Sequence, residues 1–456
     1  MNKAKDADLA YRAARLWLPK KHVNVGAVKG SLTFQPKTGG KLLAYEETDD
    51  HLLVPRHYVP VEELADLEFK VEHDAPPAFP RLPTWIKPTF SLRTSAEGVN
   101  QVAAWKALVE GGDGGLVLKC GGGKTVIAIH AAIAVGYPTV FVVNNGSVMG
   151  QWRDRIIEHT TATNDDIGQI GDGEMDWEGK PFVLATIQTL WQRVEAGTLP
   201  EELRWRFGTW VYDEAHHMAA EKFNLGADLG HGVRWWLTAT PDRTDGLETL
   251  YQGHLGPVLY RDLEQDIKPD VFFIKTGGRL SAEQEAASKD TKGQFNVGRF
   301  YDALLLDPER DKIIAHWVNL GLQDDRHVML LTPSRKHLAE LEKLWDGPGV
   351  RVVHGDVPSS KRSAMVDESE LLISIDDLGI EALDKPSLSV VALSCPMKNR
   401  NNLQQVLGRE QRPFPGKKKP IMLVFVDENV PISAKWARRM QSVLTSWNIP
   451  FRICDP

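Results

Sequence analysis

The chain of 456 residues has few cysteines, no long apolar run and no excess of positive charge. Its three cysteines, Cys120, Cys395 and Cys454, are scattered and odd in number, which excludes a disulfide framework and offers no zinc-ligand spacing. A reducing, cytosolic setting is the expectation. No stretch approaches the roughly 18 apolar residues that cross a bilayer. The opening MNKAKDADLAYRAARLWLPKK is interrupted by charge throughout, unlike a secretory signal. A formal net charge of −7 does not advertise a nucleic-acid partner, yet it does not exclude one, because local fields and backbone donors decide such binding.

What is present is a globular composition, 42% hydrophobic and 25% charged, in a chain long enough for two or three domains. Charge is unevenly placed. Residues 1–41 carry a balance of +7 and residues 42–74 one of −8. Residues 398–419 hold seven Lys/Arg against Glu410 alone. Such runs are either solvated faces or contact surfaces, and the basic first 41 residues are a candidate grip on duplex DNA.

Five prolines in APPAFPRLPTWIKPTF, residues 75–90, predict an extended linker. Before it, residues 1–90 read as a small α+β module: an amphipathic helix near 6–18, then strands suggested by HVNVGAVKGSLTF and DLEFKVEH. After it, short apolar runs alternate with helical periods. GLVLK, TVFVV (139–143), FVLAT (182–186), TWVYD (209–213) and VRWWLTAT (233–240) form one series. HVMLLT (327–332), VRVVHG (350–355), LLISI (371–375), SVVALS (389–394) and IMLVFV (421–426) form a second. Strands separated by helices imply parallel α/β sheets, here over 91–265 and 266–456, with ligands at the strands' carboxyl ends.

Four stretches carry chemistry. In LVLKCGGGKTVIAIHAA (116–132), Gly121, Gly122 and Gly123 let backbone N–H groups wrap an anion at a helix start. Lys124 would reach the β- and γ-phosphates and Thr125 would ligate Mg²⁺. Leu118 stands where the usual pattern has its first glycine. In VYDEAHH (211–217), Asp213 would hold Mg²⁺ and Glu214 would deprotonate water. A zinc reading of His216 and His217 lacks a third ligand. In LTATPDRTDG (237–246), Thr238 and Thr240 could relay from that acidic pair. In QQVLGREQRP (404–413), Gln405, Arg409 and Arg412 share a helix face and could stabilise a transferring phosphoryl group. A further combination, Asp172 and Asp176 before EGK at 178–180, has the look of a nuclease site but is short enough to arise by chance.

The ordered set of glycine loop, DEAHH, LTATPDRTDG, GHLGPVLY and the arginine helix resembles superfamily 2 DEAH-box DNA helicases, in particular the XPB-like and phage UvsW-like branch, over about 91–430. The resemblance implies two tandem RecA-like domains clamping ATP and Mg²⁺ and tracking along DNA. It assigns Lys124 and Thr125 to phosphate and metal, Asp213 and Glu214 to metal and water, and Gln405, Arg409 and Arg412 to the nucleotide from the second domain. It makes His216, Thr238 and Thr240 coupling residues and gives Gln101 the adenine-reading role, although Gly98 replaces the family's arginine. Thr186, Gln188, Thr332 and Ser334 become phosphate-backbone contacts, with Arg335 a possible ion pair. The threonine and acidic-glycine pair of motif V is replaced by ISIDDLGIEALDKP, where Asp384 is the nearest candidate. The implied function is an ATP-dependent motor on forked or branched DNA in replication, recombination or repair, monomeric and in the host cytoplasm if phage-encoded. An RNA helicase, a non-hydrolysing nucleic-acid scaffold and the motor subunit of a nuclease are the alternatives.

Overall fold

The computed structural model describes the chain except residues 1–5, 36–40, 61–62, 65–66, 68, 74–77, 95–98, 120, 216–226, 240–247, 264–267, 377–384, 386, 411–413 and 415; at 73, 248, 359, 360, 363, 401, 409 and 410 it describes backbone alone. The described chain divides into two compact units, 1–263 and 264–456.

The larger sheet of the first unit runs in the order Glu174–Asp176, Ile167–Gly171, Phe182–Thr186, Thr139–Val143, Thr209–Asp213, Val233–Thr238, Gly114–Leu118, Val258–Asp262. All pairings are parallel except that of the edge strand Glu174–Asp176. Central strands such as Gly114–Leu118, Thr139–Val143 and Phe182–Thr186 are buried along their whole length, as continuous apolar runs covered on both faces must be. The second unit holds a seven-stranded parallel sheet, ordered Val350–Val353, Leu371–Ile375, His327–Thr332, Leu388–Leu393, Ile421–Val426, Asp270–Lys275, Phe451–Cys454. The strands expected from the two apolar series form. The strands Ile167–Gly171, Glu174–Asp176, Val258–Asp262, Asp270–Lys275 and Phe451–Cys454 are additional.

The first 90 residues differ from expectation in one element. No helix spans 6–18. Instead Ala10–Arg12 and Leu16–Pro19 pair as a hairpin within a five-stranded sheet that also contains His51–Val54 and Val71–His73. Leu16 and Leu18 point inward with Trp17 half-buried between them, and this period-2 burial overrides the local helical spacing. The helix of this region is Val25–Ser31, capped by Asn24, inside a segment that reads as strand.

The described part of the proline-rich stretch, 78–90, belongs to no helix and no named strand, but it is not a free tether. Leu82 and Ile86 are buried, the Leu82 N–H donates to the Gly136 carbonyl, and the Thr89 N–H donates to the His159 carbonyl.

The early basic residues are also internally paired. Arg15 meets Asp228 at 2.6 Å, Arg12 meets Asp113 at 3.7 Å, and Lys20 and Lys29 meet Glu47 at 3.1 and 2.8 Å. Lys21 pairs with Asp8. Five of the nine basic residues of 1–41, Arg12, Arg15, Lys20, Lys21 and Lys29, thus have acidic partners within the fold.

Candidate active site

Three neighbouring strands bring the site together. Val233–Thr238 lies between Thr209–Asp213 and Gly114–Leu118, with Asp213 opposite Leu237 and Thr238 opposite Val117. Their carboxyl ends thus place the acidic pair, Thr238 and the glycine loop side by side, although some ninety residues of sequence separate the first from the last.

The loop is shaped by backbone that only glycine adopts cheaply. Gly121 and Gly123 have φ of 75° and 90°. A Cβ on Gly123 would also lie 2.2 Å from the Gln101 amide nitrogen. Gly123 caps the helix Lys124–Val135 with no side-chain hydrogen bond. By contrast, Asn145 and Thr186 cap the next two helices of the sheet with their own side chains. A helix start without a side-chain cap, preceded by a glycine nest, offers its N–H groups and positive end to an anion. This arrangement fits a nucleotide's phosphates.

Lys124 extends back over the loop. Its ammonium lies 3.6 Å from Glu214 Oε1 and 3.5 Å from the Leu118 carbonyl oxygen. Glu214 sits in the left-handed region, φ 45°, a conformation that costs a non-glycine residue about 1–3 kcal/mol and clusters at functional sites. That twist turns its carboxylate to Lys124 and to the Thr238 hydroxyl, which donates to Oε2 at 3.2 Å. Asp213 accepts from the Glu214 backbone N–H at 3.0 Å and from the Trp152 indole N–H at 2.7 Å. Burial first, and the adjacent Glu214 charge second, push its carboxyl up to about 6. An acid so strained toward neutrality is suited to a cation, and the half-buried Thr125 at the head of the same helix adds a hydroxyl. The donor set, carboxylate with hydroxyl beside a phosphate nest, fits Mg²⁺.

Gln101 is buried. Its amide donates to the Gly122 carbonyl and accepts from the Arg93 N–H, so it braces the loop from behind. Thr186 is buried, and its hydroxyl donates to that of Thr189; Gln188, two residues on, is exposed. In the second unit Thr332 and Ser334 are buried. The Thr332 hydroxyl lies 2.8 Å from His337 Nδ1, and the Ser334 hydroxyl donates to Asp302. These hydroxyls face internal partners; the exposed Arg335 pairs with Asp356 at 3.5 Å. Gln405 is buried on the helix Arg400–Glu410. His216, Thr240, Asp384 and Arg412, and the side chain of Arg409, lie outside the described residues. Asp176, of the nuclease-like combination, ends the strand Glu174–Asp176 and pairs with Lys180 across the turn that follows, and no group that could hold a metal by His, Cys, Asp and Glu alone occurs among the described residues.

Residues 96–243 match the family described as type III restriction enzyme, res subunit. Over 335 residues the chain is 26% identical to a putative ATP-dependent RNA helicase, L396, of Acanthamoeba polyphaga mimivirus, spanning 71% of this chain and 62% of that protein. A DNA 3'-5' helicase XPB of Mycobacterium tuberculosis is 27% identical over 317 residues, 66% of this chain and 55% of that helicase. The chain thus spans about half to three-fifths of the length of the curated helicases it matches. Saccharomyces cerevisiae Dbp5 bound to RNA and ADP BeF3 superposes with a TM-score of 0.57 at 14% identity, covering 78% of this chain and 89% of that one. That likeness is one of fold: parallel α/β sheets of the RecA-like kind. No helix among the described residues is long and apolar enough to cross a membrane.

Trp152 is the site residue that sequence reasoning passes over. Met149, Trp152 and Ile156 share the buried face of the helix Gly146–His159, so periodicity signals the burial of Trp152. It does not signal a polar partner for the indole.

Proposed function

We propose that the protein is an ATP-dependent DNA helicase or translocase. Its motor comprises two RecA-like domains, about 91–265 and 266–456, with residues 1–90 as an accessory module. The observation that carries this is the chain of contacts from Lys124 to Glu214 to Thr238 beside a helix start without a side-chain cap. In this reading the N–H groups of Gly121 to Thr125 cradle the phosphates and Lys124 neutralises the terminal one. Thr125 and Asp213 hold Mg²⁺, which supplies charge neutralisation of the transferring phosphoryl group when bound. Lys124 then exchanges Glu214 for phosphate and frees that carboxylate to take the proton of the attacking water. Thr238, still bonded to Glu214, registers the change in the neighbouring strand. His216 and Thr240 are assigned to the same coupling by resemblance. So are Gln405, Arg409 and Arg412 to the charge of the transferring group.

DNA is preferred over RNA because the XPB and Rad25 relatives are described as DNA helicases, while the mimivirus relative keeps an RNA motor in play. Forked or branched DNA, branch migration and a phage-type role are the finer form of the proposal and rest on the sequence texture around LTATPDRTDG and GHLGPVLY. The test is ATP hydrolysis without nucleic acid and with single-stranded DNA, forked DNA or RNA, with Lys124→Ala as control. Stimulation by forked DNA that disappears in the variant supports the proposal. Preferential stimulation by RNA replaces it with the RNA motor, and hydrolysis unaffected by Lys124→Ala overturns the assigned site.

A further inference from the structure

We infer that Trp152 is a positioning residue for the metal-holding acid: its indole N–H fixes the orientation of the Asp213 carboxylate in which Mg²⁺–nucleotide is received. The inference rests on the nucleotide reading of this site.

The geometry is specific. The Trp152 Nε1–H donates to Asp213 Oδ2 at 2.7 Å, and the Glu214 backbone N–H donates to Oδ1 at 3.0 Å. Each carboxylate oxygen therefore meets one donor from a different direction, which fixes the plane of the group and leaves acceptor capacity on both oxygens. The indole has no slack with which to follow a wandering carboxylate. It is 2% exposed, and its ring packs against Phe141 with centroids 4.8 Å apart. Phe141 belongs to the strand Thr139–Val143, which pairs with Thr209–Asp213, so the donor and the acid are held by adjacent strands of one sheet.

An apolar ring would fill the same space. A buried indole is costly unless its N–H is satisfied, and here the N–H is directed to a carboxylate that the phosphate chemistry needs, whereas the neighbouring buried Trp235 and Trp236 satisfy theirs on the backbone carbonyls of Gly112 and Gly256. The helix Gly146–His159 that carries Trp152 starts from NNGSVMGQW, the stretch assigned by resemblance to nucleic-acid contact. The same side chain thus joins that helix to the nucleotide site.

Trp152→Phe keeps the ring and removes the donor. The measurement is binding of a fluorescent ADP analogue, with and without Mg²⁺, to the full chain. Loss of a hydrogen bond to a charged group should cut the Mg²⁺-dependent gain in affinity by about tenfold or more, while Mg²⁺-free binding stays within about twofold. Trp235→Phe, which likewise removes a buried indole donor but one directed to the Gly112 carbonyl, should lower the melting temperature and leave the Mg²⁺ gain intact. An unchanged Mg²⁺ gain in Trp152→Phe overturns the inference. So does an equal loss with and without Mg²⁺, which is what a purely structural role gives.

A second measurement needs no change at Trp152. In protein labelled with ¹⁵N-tryptophan, Asp213→Ala should move one downfield indole N–H resonance upfield, and an indole spectrum that does not respond overturns the contact. If the unsubstituted protein shows no Lys124-dependent nucleotide binding at all, the nucleotide reading itself fails and the inference with it.

Discussion

The two units build the same kind of sheet but use its carboxyl edge in opposite ways. In the first unit that edge carries the candidate site, and the buried ionic hub lies at the amino ends. Asp113 immediately precedes the strand Gly114–Leu118 and takes Arg56 at 3.3 Å, His57 at 2.8 Å and Arg12 at 3.7 Å. Asp228 takes Arg15 at 2.6 Å, His254 at 2.9 Å and Arg234 at 3.5 Å. In the second unit the hub occupies the carboxyl edge itself. Asp427, just after the strand Ile421–Val426, accepts from Arg310 at 2.9 Å and from the Thr276 hydroxyl at 2.6 Å, and Arg310 also donates to the Ser394 carbonyl. The loop after His327–Thr332 starts a helix capped by Ser334, where the equivalent loop of the first unit has glycine and no side-chain cap. A strand–loop–helix unit becomes an anion site when its helix donors are left to a ligand, and a structural joint when the chain satisfies them itself.

Breaking either hub should produce the largest effect. Asp228→Asn or Asp427→Asn leaves buried guanidinium groups without their carboxylate, a loss of about 3–5 kcal/mol in stability, read as a fall in denaturation midpoint. Asp228→Asn also tests whether residues 1–90 are part of the first unit: limited proteolysis should then release them, and a fragment pattern identical to the parent's would count against the joint.

Lys124→Ala attacks the open edge instead. ATP turnover should drop by roughly a hundredfold or more, with little change in melting temperature, because the lysine's ion-pair partner Glu214 is partly exposed. A large stability loss in this variant would mean that the edge is structural after all.

Acid should act on the first unit's hub with a definite sign. Burial alone would raise Asp113, but Arg56, His57 and Arg234 outweigh it and hold its carboxyl well below the ordinary range; Asp228 is depressed likewise by His254, Arg15 and Arg234 against burial. Burial lowers the His57 imidazole, opposed in part by Asp113. All three folded-state values lie below the unfolded ones. Their stabilisation is therefore complete above about pH 6.5. It declines first as His57 is forced to protonate, then further below about pH 3.9 as the carboxylates do. Melting temperature followed from pH 7 to 3 should show this descent, and Asp113→Asn should flatten it.

The smallest expected effect is at the closed edge. Ser334→Ala removes a helix cap and should cost about 1 kcal/mol, measurable by denaturant titration.

Much of this was legible in sequence wherever a pattern is local. The buried parallel strands are continuous apolar runs, and the glycine loop and acidic pair are each contiguous, so strand series and site chemistry could be read together. The first 20 residues could not. LWLP has a helix-compatible neighbourhood, and only pairing with Ala10–Arg12 and His51–Val54 makes it a strand. The partners of Arg12 and Arg15 were hidden for a related reason: a count of lysines and arginines does not reveal Asp113 and Asp228, which lie far along the chain.

Sequence by itself determined which residue types could bind a phosphate and a cation, because glycine's freedom, a lysine at a helix start and adjacent carboxylates are properties of short segments. Tertiary structure decided which of them meet. The strand order that inserts Val233–Thr238 between Gly114–Leu118 and Thr209–Asp213 brings Thr238 to Glu214, and a helix between them in sequence delivers Trp152 to Asp213. Those contacts depend on sheet topology and on where a buried polar group can find its partner, and both are set only when the whole unit packs.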